Sequence, residues 1–146
     1  MTIKDFMTNQ HRDCDRKLTL VEDAIEKKDF DDAMVKYMEF KNETLHHFSS
    51  EEDYLFPMFE KESGMGSMGP TQVMRMEHDQ TRGLFSKMDE AINDKDSDRF
   101  YGLSDSMMIL LQQHNAKEEQ MLYTLIQNTF NSRNDEIVEK LRSDES

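Results

Sequence analysis

The sequence predicts an all-α protein, an up-down-up-down four-helix bundle with a short C-terminal fifth helix. Apolar residues recur at three- and four-residue steps over long stretches, which is helical periodicity. The chain holds only 5 Gly and 2 Pro, and the links between its apolar stretches are short, which favours antiparallel neighbours. Its 146 residues correspond to one domain, so residues 1–146 are expected to form a single domain.

The first half of the chain predicts a helical hairpin. The first helix is expected over about residues 2–27, with a stripe of Met7, His11, Cys14, Leu18, Val21 and Ile25. Asp29 or Asp31 caps the second helix, over about residues 31–61, whose stripe is Ala33, Tyr37, Phe40, Thr44, His47, Glu51, Leu55 and Met58. Pro57 predicts a kink or an early last turn in this helix, because it removes a backbone hydrogen bond.

A glycine-rich loop separates this hairpin from a second one. Pro70 suits the first position of the third helix, over about residues 70–94, whose stripe is Met74, His78, Thr81, Phe85, Met88 and Ile92. Asp96 or Ser97 caps the fourth helix, over about residues 97–130, whose stripe includes Leu103, Met107, Leu111, His114, Glu118, Leu122 and Ile126. A short amphipathic segment predicts the fifth helix, over about residues 134–142, packed outside the bundle.

Composition excludes several classes of partner. The formal net charge of −13 predicts repulsion from nucleic acid and from anionic membrane surfaces. The longest apolar runs are far shorter than a membrane span, and the N-terminus has no apolar signal core. A single cysteine, Cys14, cannot form an internal disulfide. These features predict a soluble, cytoplasmic protein with no nucleic-acid or membrane partner.

Each of the four long stripes carries a histidine at a core-facing position, and two of these histidines have a glutamate four residues later. Burial of so many ionisable groups costs several kcal/mol unless they pair or bind cations. A His-x-x-x-Glu pair lies on one helical face and supplies two donors to a metal between helices. Mixed imidazole and carboxylate donors suit iron, zinc or manganese, and two shared carboxylates favour a pair of metals. The predicted ligands are His11, His47, Glu51, His78, His114 and Glu118.

Helical periodicity also separates these residues from their neighbours. His46 and Glu119 are turned about 100° away from the ligand stripes and are expected on outer faces. Asp15 is expected to be a solvated charge, although its position leaves it within reach of the site. Tyr54 has two interpretations. In the first, its hydroxyl points at the metals and acts as a ligand, a hydrogen-bond donor or a redox partner. In the second, Tyr54 is a core aromatic residue with its hydroxyl at the rim. Cys14 is either a redox group or a small buried filler.

The pattern His11, His47-x-x-x-Glu51, His78, His114-x-x-x-Glu118 closely resembles the hemerythrin-like, or HHE cation-binding, family of non-haem di-iron four-helix bundles. The local strings HFSSEEDYLFP, MEHDQ and HNAKEEQMLY are similar to the family's motifs at the same helices. The resemblance implies two irons bridged by Glu51 and Glu118. It places His78 and His114 on one iron, and His11 and His47 on the other.

Two departures separate this sequence from the oxygen-carrying members of that family. The carriers have His-x-x-x-His on the third helix, where this chain has Met74 four residues before His78. The carriers end the fourth-helix motif in His-x-x-x-x-Asp, where this chain has the shorter His-x-x-x-Glu. A ferritin-like bundle is discounted because it needs Glu-x-x-His on two helices, and only Glu43 and His46 fit that spacing.

The sequence leaves several functions open. The favoured one is a di-iron protein that binds or reacts with a small oxidant (O2, peroxide or NO). Whether it has peroxidase-like or NO-handling activity, and whether it has a redox partner protein, is left open. The main alternative is an iron- or oxygen-responsive sensor, whose metal occupancy a partner detects. A reversible oxygen carrier and an iron store rank lower.

Overall fold

Helices account for nearly all of residues 1–145, the part of the chain that the computed structural model describes, and no strand occurs among them. Residue 146, part of the predicted domain, lies outside the described residues. The α-helices are α1 (Ile3–Glu26), α2 (Phe30–Ser50), α3 (Phe56–Ser63), α4 (Pro70–Asn93), α5 (Ser97–Lys117), α6 (Tyr123–Phe130) and α7 (Asn134–Ser143). Short 3-10 turns occupy Gly66–Met68 and Asn131–Arg133, and π turns occupy Glu51–Leu55 and Glu118–Leu122.

Four long helical rods form the bundle. One π turn joins α2 to α3 and the other joins α5 to α6, so each pair is a continuous rod. The α1 helix packs against α2, α5 and α6, and α4 packs against α2 and α5. The short α7 lies against α1. This arrangement confirms the predicted all-α bundle with a fifth C-terminal helix.

The two hairpins are built alike, residue for residue. Asp29 caps α2 by accepting a 3.1 Å bond from the backbone N–H of Asp32, and Asp96 caps α5 through a 3.1 Å bond from Arg99. The residues before these caps, Lys28 and Lys95, both have positive φ, 59° and 56°. The residue numbers of these equivalent positions differ by 67. The same offset relates three pairs of predicted ligands: His11 with His78, His47 with His114, and Glu51 with Glu118.

Two apolar clusters divide the interior and leave a polar layer between them. The first, near the links within the hairpins, includes Leu18, Val21, Ile25, Phe40, Phe85, Met88 and Met107. The second, near the chain termini, includes Ile3, Met7, Leu55, Phe56, Met74, Leu122 and Ile126, and is covered by Ile137, Val138 and Leu141 of α7. Because apolar side chains close the bundle at both ends, the polar layer is shielded from water along the bundle axis.

The π turns interrupt the second and fourth of the predicted helices, each of which the periodicity treats as one element. Pro57 lies at the start of α3, directly after the first π turn, so the rod continues past the proline. The second π turn has Thr124 at the corresponding position. A proline is therefore not what these turns have in common. Both turns begin at the glutamate of a His-x-x-x-Glu pair, and π turns inside α-helices are frequent at functional sites.

Within residues 1–145, no helix combines the length and apolar character needed to cross a membrane.

Candidate metal centre

The polar layer of the bundle brings together all six predicted ligands. One group is formed by Glu51, His78, His114 and Glu118, and a second by His11, His47 and Glu118. In each group the candidate donor atoms lie within 4.8 Å of one another, and every residue is buried. Glu118 belongs to both groups, and the His78 Nε2 atom is 3.1 Å from Glu51 Oε1. The geometry is therefore that of two adjoining donor sets that share the Glu118 carboxylate.

An acceptor from another helix fixes the outer nitrogen of every imidazole in this layer. An Nδ1 atom that faces a carboxylate or an amide oxygen carries the proton, so the Nε2 lone pair of each neutral ring points inward. The four contacts are His11 to Glu119 at 2.8 Å, His47 to the Gln10 carbonyl at 2.6 Å, His78 to Glu52 at 2.6 Å and His114 to Glu77 at 2.9 Å.

A cation balances each of the three outer carboxylates. Arg82 donates to Glu52 at 2.7 Å, Arg12 donates to Glu119 at 2.6 Å, and Lys117 forms an ion pair with Glu77. For Glu119, the hydrogen bond from His11, followed by that from Arg12, lowers the pKa of the carboxyl. Burial would raise the pKa of Glu52 and of Glu77, but their hydrogen bonds to these cations and to the imidazoles lower it. All three carboxylates therefore stay ionised and hold the imidazoles in place.

Four buried atoms at the centre of the layer have no hydrogen-bond partner among the described residues. They are Glu51 Oε1, His78 Nε2, His114 Nε2 and Glu118 Oε2. An unsatisfied buried polar atom costs about 1–3 kcal/mol, and more when it is charged. Coordination by a cation satisfies nitrogen lone pairs and carboxylate oxygens together. The residues present therefore fit a buried metal site.

Two of the imidazoles are strong bases in this environment. Burial would lower the pKa of His11 and of His114, but the nearby Glu118 carboxylate, together with Glu51 and the outer carboxylates, raises both values to about 9. Burial raises the pKa of Glu51, and the charge of Glu118 raises it further. His47 behaves oppositely, because burial lowers its pKa to about 3. At neutral pH, protons on His11 and His114 balance the buried carboxylate charge.

A tyrosine that the periodicity did not single out lies inside the layer. The Tyr123 hydroxyl donates a 2.8 Å hydrogen bond to Glu51 Oε2 and lies 3.1 Å from His11 Nε2 and 3.2 Å from His47 Nε2. A π turn bonds residue i to residue i+5, and the backbone N–H of Tyr123 bonds the carbonyl of Glu118. This turn stacks Tyr123 over Glu118. Burial, with the charges of Glu118 and Glu51, raises the pKa of Tyr123 well above its usual range.

Tyr54 lies elsewhere in the structure. Its ring packs against the cluster near the termini, and Lys140 Nζ of α7 is 6.0 Å from the ring centroid. Burial raises the pKa of Tyr54, with smaller effects from charges on and beside α7. Of the two interpretations of Tyr54, the structure supports the core aromatic, and the tyrosine at the donor cluster is Tyr123.

Three other residues near the site, Glu119, His46 and Asp15, can be compared with the positions that the sequence predicted for them. The expectation that Glu119 faces away from the site is wrong, because its side chain is 18% exposed and accepts from His11. His46 is half-buried, and it lines a groove of about 560 Å³ together with Gln10 and Glu145. Asp15 is half-buried and lies 3.9 Å from Arg12.

Cys14 occupies the apolar cluster near the hairpin links and is 7% exposed. Burial raises the pKa of its thiol to about 12. The structure supports the interpretation of Cys14 as a small buried filler, because a protonated buried thiol is unreactive.

Sequence analysis missed the layer of residues around the donors, although a simple signal marks it. Gln10 and Glu77 directly precede the histidines of α1 and α4, and Glu52 and Glu119 directly follow the two inward glutamates. Each of these residues contacts an imidazole on a different helix. Adjacent polar residues beside a ligand therefore mark the second layer of this site.

Comparison with known families gives an independent assignment. The model of the hemerythrin HHE cation binding domain matches residues 2–126. No curated protein and no solved structure matches the chain. The match covers all six predicted ligands and the two helical hairpins that carry them, and the chain therefore belongs to the hemerythrin HHE cation binding domain family.

Proposed function

We propose that this protein is a non-haem di-iron protein that binds or reacts with a small oxidant (O2, peroxide or NO) at a carboxylate-bridged metal pair. The observation that carries the proposal is the pair of adjoining donor groups that share Glu118. A single structural zinc site needs four donors around one centre. Six converging donors with four unpartnered buried atoms exceed that need.

The donor groups give each metal position its own residues. His78 and His114, with Glu51 and Glu118, would hold one iron, and His11 and His47, with Glu118, would hold the other. Glu51 and Glu118 are the proposed bridges, because each lies beside imidazoles of both groups. Zinc and manganese accept the same mixed donors and are possible substitutes. Bound iron would supply the redox change and the open coordination position that a small oxidant needs.

The apolar surroundings favour chemistry with a small, uncharged ligand. Phe48 stacks on the His78 ring with centroids 3.8 Å apart, and Phe56 stacks on the same ring with centroids 6.0 Å apart. Met74, which stands where the carriers have a fifth imidazole, is 2% exposed. A thioether is a weak donor for ferric iron, so Met74 is not expected to bind the metal. This leaves a coordination position on the iron available for a ligand. The shielded layer limits access of bulk water and larger oxidants.

The test of metal binding compares two adjacent histidines. We expect about two irons per chain in the wild type, and loss of half or all of the iron in His47→Ala. The matched control is His46→Ala, whose imidazole lies one position away and outside both donor groups. Equal iron loss from the two variants contradicts the proposed site.

The test of function is an oxygenation cycle on the di-ferrous protein. We expect rapid oxidation by O2 that is not reversed when O2 is removed, and reaction with peroxide or NO. Stopped-flow absorption spectra after mixing with each oxidant measure these rates. Full recovery of the di-ferrous spectrum over many cycles contradicts the proposal and favours a reversible carrier.

A further inference from the structure

The buried Tyr123 hydroxyl has more acceptors around it than one proton can serve. Its oxygen lies 2.8 Å from Glu51 Oε2, 3.1 Å from His11 Nε2 and 3.2 Å from His47 Nε2. The side chain is fully buried, with 0% exposure. A phenol carries a single donor proton, and the bond to Glu51 uses it. A protonated His11 can donate to the phenol oxygen, but the contact with His47 needs another explanation.

The orientation of Gln10 shows which atom of His47 faces the tyrosine. Gln10 Nε2 donates to Glu145 Oε1 at 2.8 Å, so the Gln10 carbonyl faces His47 Nδ1 at 2.6 Å. His47 Nδ1 must then carry the ring proton, and the Nε2 atom of the neutral ring presents a lone pair. Lone pairs of the Tyr123 oxygen and the His47 nitrogen point toward each other, which is unfavourable unless a cation lies between them.

The spacing of these atoms matches donors that share one metal. Two donors about 2.0–2.1 Å from the same cation, in neighbouring coordination positions, lie about 3 Å apart. The His11 and His47 Nε2 atoms are 3.0 Å apart, and the Tyr123 oxygen is 3.1 Å and 3.2 Å from them. These three atoms form a nearly equilateral triangle. Glu118 Oε1, 3.1 Å from His11 Nε2, extends the same set.

We propose that Tyr123 is a further metal ligand, whose phenolate oxygen binds the cation held by His11 and His47. This inference rests on the proposed function, because it takes that cation to be ferric iron, which favours hard oxygen donors. Ligation breaks the O–H bond and forms a bond from the oxygen to the metal. The released proton leaves to solvent, with Glu51 Oε2 as its first acceptor, and no electron is transferred.

The corresponding position in the other hairpin makes the two metal positions unequal. Phe56 stands where Tyr123 stands, at the end of the first π turn, and its backbone N–H bonds the carbonyl of Glu51. A phenyl ring supplies no donor, so the position between His78 and His114 has one ligand fewer. The small oxidant is therefore expected to bind at the His78 and His114 position.

The experiment compares ferric-loaded wild-type protein with Tyr123→Phe and with the control Tyr54→Phe. Tyr123→Phe should fold, because Phe56 already fills the equivalent position. Iron content is measured for each protein, and visible absorption and resonance Raman spectra are recorded. We expect a phenolate-to-iron charge-transfer band and ring vibrations enhanced within it in the wild type and in Tyr54→Phe, and their loss in Tyr123→Phe.

Each outcome of this experiment decides the proposal. A wild type that holds two irons without a phenolate band, or a band that survives in Tyr123→Phe, overturns the role of Tyr123 and leaves the di-iron proposal standing. A chain that takes up no iron overturns both. If Tyr123→Phe does not fold, the decision falls to the Raman spectrum of the wild type, where absence of phenolate vibrations overturns the proposal.

Discussion

Binding of a metal at this centre must displace protons, which makes its affinity depend on pH. His11 and His114 have pKa values of about 9, so both rings are protonated at pH 7–8. A metal binds only the neutral imidazole. Each ring therefore loses one proton when the metal binds, and acidification should weaken binding.

The number of displaced protons sets the size of this effect. One proton changes the apparent affinity tenfold per pH unit, or about 1.4 kcal/mol. Two protons, from His11 and His114, give about 100-fold or about 2.7 kcal/mol per unit between pH 7 and 8. His47, whose pKa is about 3, adds none. The direction of the pH dependence is fixed, since metal affinity rises with pH and levels off above the pKa values of the two rings.

Calorimetric titration of metal-free protein with zinc, a metal without redox chemistry, measures this linkage. Titrations in buffers of different ionisation enthalpy count the protons released. We expect at least two per chain at pH 7.5. Glu118→Gln removes the charge that raises both pKa values and should reduce the count, whereas His46→Ala should leave it unchanged. An affinity that does not change between pH 7 and 8 refutes the reasoning.

Three further predictions concern stability, the outer layer and the buried thiol. Removal of metal by a chelator should lower Tm by about 5–10 °C relative to protein with free metal at 100 times its Kd. The reason is that metal binding then stabilises the fold by about 2.7 kcal/mol. An unchanged Tm contradicts this prediction. Glu77→Gln should weaken metal binding by about 10–100-fold, because Glu77 orients His114. Competition with a chelator measures the affinity. The control Glu90→Gln, at an exposed ion pair, should have no effect. Alkylation of Cys14 at pH 8 should be about 1000-fold slower in the folded than in the unfolded chain, because its pKa is about 12 instead of 9; equal rates before and after denaturation contradict this.

The sequence by itself determined the helical bundle and the inward histidines and glutamates. Periodicity of 3.6 residues fixes which side chains share a helical face, and burial of that face follows from the hydrophobic effect. His47 and His46 were distinguished in this way, as one lies in a donor group and the other lines a groove. The 67-residue offset between the hairpins was not predicted from the sequence, and the matching caps and ligands in the structure reveal it.

The tertiary structure decided the second layer and the tyrosine. Glu119 contacts a histidine of α1, and a single helix's periodicity cannot show which residue of a neighbouring helix lies opposite. In a regular α-helix, Tyr123 would be turned about 140° from Glu118, because successive residues differ by about 100°. The π turn instead stacks Tyr123 over Glu118, whereas Tyr54 lies within the matching turn, and its ring is near Lys140 of α7. A local change in helical pitch, which the sequence pattern did not predict, therefore decided which tyrosine lies among the candidate metal ligands.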